Sequence, residues 1–170
     1  MEILIISDSH GYLSNLRKVL NQYKNQIKYV IHLGDYDEDI SEIKPEFQSY
    51  EFINVSGNCD FGTSLPSEKV FELCEKRFFI THGHRYSVKS GLTKISYMAE
   101  EKSSDICLLG HTHIPLLTSF NDVVYMNPGS ISCPRSEFSN SYGIIEISND
   151  KISAKVIEIS PKGERVIMKY

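Results

Sequence analysis

The first ten residues, Met1 to His10 (MEILIISDSH), pass from an apolar run directly into an acidic residue and a histidine. The four apolar residues from Ile3 to Ile6 predict a buried β-strand over Ile3–Ser7. Asp8 and His10 follow at a spacing of two, so both side chains can reach one point from an extended or turning backbone. Apolar residues then recur at helical spacing from Leu13 to Tyr23, which predicts an amphipathic helix.

This alternation of strand and helix continues and then gives way to strands alone. A second amphipathic helix is predicted over Val88–Ala99, and a turn is predicted at Glu75-Lys76-Arg77. Asn121-Asp122 and Asn149-Asp150 have the composition of hairpin turns. An α/β first half and a β-rich second half predict an α/β (α+β) fold with two packed sheets flanked by helices. The remaining predicted strands are 29–33, 51–55, 70–73, 78–81, 106–109, 116–120, 123–126, 142–147 and 152–159.

The composition predicts a globular protein that forms one domain over residues 1–170. Hydrophobic residues make up 41% of the chain and charged residues 24%, a balance that allows a sizeable core. The net charge of −4, with no dense run of Lys or Arg, disfavours an obligate nucleic-acid partner. No membrane span or signal peptide is evident, and the cysteines form no CxxC pair, which predicts a cytoplasmic protein with reduced thiols.

Five short polar segments hold most of the side chains that could bind a metal ion, and each follows a predicted strand. Loops that leave the carboxyl ends of neighbouring strands converge on one crevice, so we expect these segments to meet in space. Five of the six histidines lie in them, which chance explains poorly. The segments are Asp8-Ser9-His10, Gly34-Asp35, Gly57-Asn58-Cys59-Asp60, His82-Gly83-His84 and Gly110-His111-Thr112-His113.

The types of side chain in these segments favour two transition-metal ions. Imidazole and carboxylate without thiolate suit Mn, Fe, Co, Ni or Zn better than Ca, and differ from a structural zinc site. The donors exceed what one tetrahedral ion needs, and a carboxylate such as Asp35 can bridge two ions. Two metals about 3.5–4 Å apart can hold a phosphoryl group between them.

The order Asp-x-His, Gly-Asp, Gly-Asn, His-Gly-His and Gly-His-x-His resembles the calcineurin-like metallophosphoesterase superfamily. It is most similar to the small single-domain phosphodiesterases of bacteria and archaea. Asn127-Pro128-Gly129-Ser130, interpreted as a tight turn that supports the metal loops, extends the resemblance toward Arg135. The resemblance implies a four-layer αββα sandwich, in which two mixed β-sheets pack face to face between flanking helices.

The resemblance also implies a ligand set, a cofactor and a mechanism. Two divalent ions are expected, with Mn favoured and Ni, Co, Fe, Zn or Mg left open. A metal-bridging hydroxide would attack a small phosphodiester in line, opposite the leaving oxygen. One ion would be held by Asp8, His10, Asp35 and His113. The other would be held by Asp35, Asn58, His82 and His111.

Cys59 departs from the superfamily pattern, because many members have His after the Gly-Asn pair. A neutral thiol is a weak hydrogen-bond donor and a poor general acid for an alkoxide. The hypothesis is a preference for diesters with acidic leaving groups, with Cys59 as a candidate catalytic residue. The alternative is that Cys59 only fills a small space.

Four further polar residues have competing interpretations. His84 is a candidate catalytic residue that contacts the substrate phosphate or donates a proton, or else it orients a ligand. Asn58 and Arg135 are candidates for substrate binding, although Arg135 could equally form a surface ion pair. Asp60 is expected to orient its own loop. His32, inside a predicted strand, is expected to be a core histidine.

Other functions remain open at this point. The same fold can serve as a non-catalytic scaffold for protein partners, as in the retromer-type relatives, but such a protein could lose ligand residues that are intact here. A nuclease or cyclic-nucleotide phosphodiesterase would need a stacking platform or basic groove, which the sequence does not show clearly. A phosphomonoesterase usually carries the histidine that Cys59 replaces. Exposed β-edges leave a homo-oligomer open.

Overall fold

The computed structural model describes residues 1–170, and eleven β-strands in two sheets form its centre. One sheet has six strands and the other has five. The strands are β1 (Glu2–Ile6), β2 (Tyr29–His32), β3 (Glu51–Asn54), β4 (Glu68–Leu73), β5 (Lys76–Thr81), β6 (Ile106–Leu108), β7 (Leu116–Phe120), β8 (Val123–Asn127), β9 (Asn140–Ser148), β10 (Lys151–Ser160) and β11 (Gly163–Lys169).

Both sheets are mixed, with a parallel core that is extended by antiparallel strands. The six-stranded sheet has the order β11-β10-β9-β1-β2-β3, and the five-stranded sheet has the order β4-β5-β6-β8-β7. In the first sheet β1, β2 and β3 run parallel. In the second sheet β5, β6 and β8 run parallel. The carboxyl ends of these six strands carry the loops that contain the predicted metal-binding residues and the Asn127–Ser130 turn.

Three apolar clusters define four layers, as the sequence predicted. Because side chains alternate along a strand, Ile3 and Ile5 of β1 face the second sheet, while Leu4 and Ile6 face the helices α1 (Leu13–Gln22) and α2 (Asp37–Ile43). Helix α3 (Thr93–Glu101) packs on the outer face of the second sheet. The expected αββα sandwich is therefore confirmed. No helix is long and apolar enough to cross a membrane.

The hairpin turns show how local residue types set the backbone. Both Asn121-Asp122 and Asn149-Asp150 form the predicted turns, and all four residues have positive φ, as tight hairpin turns require. The turn between β4 and β5 lies earlier than predicted. It is formed by Cys74-Glu75 at φ of 51° and 59°, so Lys76 and Arg77 belong to β5 instead.

The second predicted helix begins later than its apolar spacing indicated. Val88–Ser90 forms a short 3-10 turn, and Gly91 has a φ of 127°, which no α-helix accommodates. Helix α3 therefore starts at Thr93, although Ile95 and Ala99 do face the core. Helix α2 and strand β11 were not predicted. Helix α2 contains only two hydrophobic residues, Ile40 and Ile43, and β11 has no fully buried residue, so neither shows a strong apolar period.

Candidate metal centre

The structure brings all seven predicted metal-binding residues together at the carboxyl ends of the parallel strands. They come from both sheets, so the centre lies where the two sheets meet. Asp8 and His113, which are 105 positions apart in sequence, approach to 3.1 Å between carboxylate Oδ1 and imidazole Nε2. The loop after β1 contributes Asp8 and His10, the loop after β2 contributes Asp35, and the loop after β3 contributes Asn58. The loop after β5 contributes His82, and the loop after β6 contributes His111 and His113.

One group of four side chains has the arrangement of a metal site. Asp8, His10, Asp35 and His113 each offer one ligand atom, and these atoms lie within 4.8 Å of one another. The Nε2 atoms of His10 and His113 are 3.2 Å apart, and His10 Nε2 is 3.7 Å from Asp35 Oδ2. Three of the four residues are buried. This group matches the first predicted ligand set.

A second group of donors adjoins the first and shares Asp35. His82 Nε2 lies 3.2 Å from Asn58 Oδ1 and 3.2 Å from His111 Nδ1. The same nitrogen is 3.4 Å from Asp35 Oδ1, whereas Asp35 Oδ2 faces His10. The two oxygens of one carboxylate are thus directed at different groups of histidines, which is one arrangement in which a carboxylate bridges two ions.

Backbone carbonyls orient two of the imidazoles. His82 Nδ1 lies 2.8 Å from the Leu33 carbonyl oxygen, and His113 Nδ1 lies 2.5 Å from the Cys133 carbonyl oxygen. Because a carbonyl can only accept, each Nδ1 carries a proton, so in the neutral imidazole the Nε2 lone pair is directed at the centre. Two backbone carbonyls that are not proposed metal ligands therefore orient two of the proposed ligands.

The electrostatics of the centre also fit a cation. Asp8 is fully buried, and its Oδ1 lies 3.1 Å from His113 Nε2 but forms no hydrogen bond with it, although an unsatisfied buried oxygen is costly. Burial opposes ionisation, but His113 and His82 together hold the pKa of Asp8 below its usual value. Burial, with His82 and then Lys89 nearby, lowers the pKa of His111 to about 4. Both groups are thus in their metal-binding protonation states at neutral pH.

The backbone of the centre is held in an unfavourable conformation. A left-handed backbone costs a non-glycine residue roughly 1–2 kcal/mol, and such residues cluster at functional sites. Tertiary contacts hold these loops; for example, the Asp8 N–H donates to the Gly34 carbonyl at 3.1 Å. These contacts hold the donors in position. The residues in this conformation are Asp8, His10, Asp35, His111 and His113, with φ of 57°, 48°, 59°, 68° and 60°.

Two glycines allow the loops after β2 and β3 to touch. A Cβ on Gly34 would lie 2.5 Å from the Gly57 nitrogen, and a Cβ on Gly57 would lie 2.1 Å from Asp35 Oδ1. Neither Gly57 nor Asn58 has positive φ, so glycine is not needed at position 57 for a left-handed turn. Gly57 is required for close approach instead.

Asp60 ties these two loops together. Its carboxylate accepts hydrogen bonds from the backbone N–H groups of Gly57, Asp35, Tyr36 and Asp37, at 2.6 to 3.0 Å. Burial raises the pKa of Asp60, but these four donors together hold it below its usual value. The Asp60 side chain thus orients the Asp35 loop.

The side chains of Asn127, Ser130 and Ser132 support the remaining loops, although none of them was predicted to bind a metal. The hydroxyls of Ser130 and Ser132 both donate to the Asp8 carbonyl, at 2.7 and 3.0 Å. Asn127 Nδ2 donates to the Gly110 carbonyl at 2.7 Å. The sequence indicated a supporting role for Asn127 and Ser130 only through their place in the Asn-Pro-Gly-Ser turn, and it did not indicate one for Ser132.

The other predicted site residues lie around the centre. The His84 ring centroid is 5.5 Å from that of His82, and His84 Nδ1 has no hydrogen-bond partner. The Cys59 N–H donates to Asp35 Oδ1 at 2.9 Å, and burial beside Asp35 raises the pKa of its thiol to about 11. Arg135 is exposed and lines a cavity of about 490 Å³. His32 is fully buried with its Nε2 3.2 Å from Ser9 Oγ.

Residues 1–150 match the calcineurin-like phosphoesterase superfamily domain. The probable metallophosphoesterase YsnB of Bacillus subtilis is 32% identical over 155 residues, which cover 91% of this chain and 89% of that protein. The phosphodiesterase YfcE of Escherichia coli is 26% identical, with 90% of each chain covered. A single-mutant structure of Vps29 from Entamoeba histolytica superposes with a TM-score of 0.84 at 18% identity, covering 100% of this chain and 98% of that one, which shows a shared fold.

Proposed function

The chain belongs to the calcineurin-like phosphoesterase superfamily, and from this premise we propose that it is a phosphodiesterase that uses two divalent ions to hydrolyse small phosphodiesters. The observation that carries the proposal is the position of Asp35. Its Oδ2 is 3.7 Å from His10 Nε2, and its Oδ1 is 3.4 Å from His82 Nε2. One carboxylate thus lies between two sets of donors.

The proposed ligand sets are those carried over from the superfamily. Asp8, His10, Asp35 and His113 would hold one ion, and Asp35, Asn58, His82 and His111 would hold the other. Mn is the proposed metal, since the donors are imidazole and oxygen without thiolate. Ions bound there would supply Lewis acidity at a phosphate oxygen and lower the pKa of a water molecule toward neutrality.

The chain's own residues would bind and orient the substrate around this centre. We assign Asn58 and Arg135 to contacts with phosphate oxygens, because an amide and a guanidinium both donate hydrogen bonds to them. The His84 side chain is only partly buried, so its imidazole is able to contact the phosphate or donate a proton. Cys59 stays a neutral thiol and therefore gives a leaving oxygen little help.

A protein-interaction scaffold is the second candidate function, because Vps29 shares the fold. A scaffold has no need of buried, oriented metal donors. Here two histidines are oriented by carbonyls, and Asp8 retains an unpartnered buried oxygen. These features favour an enzyme. We also propose that the protein is cytoplasmic.

The test is hydrolysis by chelator-stripped protein with Mn, Ni, Co, Zn or Mg restored one at a time. Bis(p-nitrophenyl) phosphate should be cleaved only with added metal, and faster than the monoester p-nitrophenyl phosphate. Turnover that favours the monoester would contradict the phosphodiesterase assignment. No turnover with any of the five metals, from protein shown to be folded by circular dichroism, would favour the scaffold.

Replacing Cys59 by histidine is expected to change the dependence of the rate on the leaving group. An imidazolium can protonate a poor leaving oxygen, so we expect alkyl leaving groups to gain up to about a hundredfold, the lower end of general acid catalysis. Aryl leaving groups should change little. The measurement is the slope of log kcat/KM against leaving-group pKa.

The exposed Cys74 in the β4–β5 turn provides the matched control. Cys74→His should leave the slope unchanged. An identical slope for Cys59→His and the unaltered protein would refute a role for residue 59 near the leaving group.

A further inference from the structure

A second cavity, of about 340 Å³, opens beside the candidate metal centre. Two loops form it, and each follows directly on a candidate ligand. The ring of Tyr36 contacts the His10 ring edge-on, with centroids 5.2 Å apart. An ester arm of a phosphodiester bound at the centre would therefore extend alongside this cavity. Its lining residues are Tyr36, Asp37 and Glu38 after β2, and Cys59, Asp60 and Phe61 after β3.

Two aromatic side chains of the cavity are exposed and have no evident role in folding. Phe61 is 91% exposed and Tyr36 is 40% exposed. Exposing a phenylalanine forfeits roughly 1.5–3 kcal/mol of burial. Neither ring belongs to any of the three apolar clusters. Exposed aromatic surface next to a reaction centre is typical of a ligand-binding wall.

The charge of the cavity is negative. Asp37, Glu38 and Asp60 line it, and no Lys or Arg does. The Glu38 side chain is exposed and forms no ion pair or hydrogen bond, whereas the Asp37 side chain accepts only a bond from the Thr63 hydroxyl at 2.6 Å. The cavity thus repels a second phosphate and attracts a cation.

The acidic residues also have a structural explanation, which does not extend to the rings. Asp37 and Glu38 lie in the first turn of α2, where negative charge stabilises a helix. That effect accounts for two carboxylates. It does not account for Phe61, which lies outside the helix and is almost fully exposed.

We propose that the aromatic–acidic pocket, formed by Tyr36, Asp37, Glu38 and Phe61, binds an alkylammonium group on one ester arm of the substrate. Aromatic faces attract such cations, and carboxylates add a Coulomb attraction. The preferred substrates are then zwitterionic diesters, with the phosphate at the metal centre and the cation in this pocket. This inference rests on the proposed phosphodiesterase function.

The test compares two diesters that share a leaving group and differ in one atom. These are p-nitrophenyl phosphocholine and its carbon isostere, p-nitrophenyl 3,3-dimethylbutyl phosphate. We expect kcat/KM to favour the cationic diester at least about tenfold, which corresponds to about 1.4 kcal/mol. Phe61→Ala and Glu38→Gln should each reduce that ratio by about threefold or more, in keeping with one lost cation–π or charge contact.

Tyr97, which is 69% exposed on α3, is the matched aromatic control. Tyr97→Ala should leave the ratio unchanged. A ratio near one in the unaltered protein, or one that neither pocket variant changes, would overturn the proposal. An equal loss for both diesters in Phe61→Ala would also overturn it, because the pocket would then stack any arm regardless of charge.

A direct binding measurement separates this inference from the proposed function. If no diester is cleaved with any metal, the phosphodiesterase proposal fails by itself. Saturation-transfer NMR with choline and with 3,3-dimethylbutanol then tests the pocket alone. A signal from choline only, lost in Phe61→Ala, would support the pocket, and equal signals from both alcohols would refute it.

Discussion

Replacing Asp35 by asparagine is expected to reduce diester turnover by more than about a hundredfold. Removing a group that only supports a metal ligand costs up to about a hundredfold, and Asp35 is a proposed ligand itself. Asparagine keeps the shape and one oxygen but loses the negative charge. One of the two oxygens, which face His10 and His82 respectively, is replaced by an NH₂ group that cannot bind a metal. The bridge between the two donor groups is therefore lost.

Three measurements check this expectation. Turnover of bis(p-nitrophenyl) phosphate should fall, the content of bound metal after gel filtration should fall below two ions per chain, and added Mn should raise the melting temperature less than in the unaltered protein. Asp122→Asn is the control, since Asp122 is an exposed turn residue with positive φ and asparagine suits that turn. Two retained ions with full turnover in Asp35→Asn would contradict the bridging role.

Replacing Gly57 by alanine is expected to displace Asp35 and to destabilise the fold. The new Cβ would lie 2.1 Å from Asp35 Oδ1 and 2.5 Å from the Asp35 nitrogen, so the loops after β2 and β3 must separate. Overpacking of this kind costs about 1–3 kcal/mol. A ligand moved by about 1 Å can lose about a hundredfold in rate. Urea unfolding and steady-state kinetics would measure the two effects.

Gly62 in the same loop is the matched control for that variant. A Cβ there meets no atom within 4 Å, and only its φ of 74° is unfavourable. Gly62→Ala should therefore cost stability, by about 1–2 kcal/mol, with turnover preserved. Normal turnover in Gly57→Ala would show that the contact with Asp35 does not set the geometry of the centre.

The parts of the fold that the sequence predicted correctly are those where a local pattern is strong. Strand β1 is a run of apolar residues because both of its faces are buried. The Asn-Asp turns were predicted because these residue types tolerate positive φ. The prediction failed at α2 and β11, where few residues are buried, and at Val88–Ser90, where Gly91 interrupts an otherwise helical spacing.

The candidate site was predicted as two ligand sets that share Asp35, while the contacts that support these residues were not predicted. Ligand types and their positions after strands are local properties, so Asp8, His10 and His113 could be identified from the sequence. The supporting bond from Ser132 to Asp8, which joins residues 124 positions apart, has no local signature. The aromatic pocket was not identified either, because scattered aromatic residues usually fill a core.

The sequence by itself determined most of the strands, the polar segments that follow them and the kinds of atom available to bind a metal. The tertiary structure alone decided that Asp35 presents its two oxygens to different histidines, that carbonyls select the imidazole tautomers, and that Gly57 is required for contact. The physical reason is that periodicity and residue type act over a few neighbouring positions. Distances between loops depend instead on how the two sheets pack.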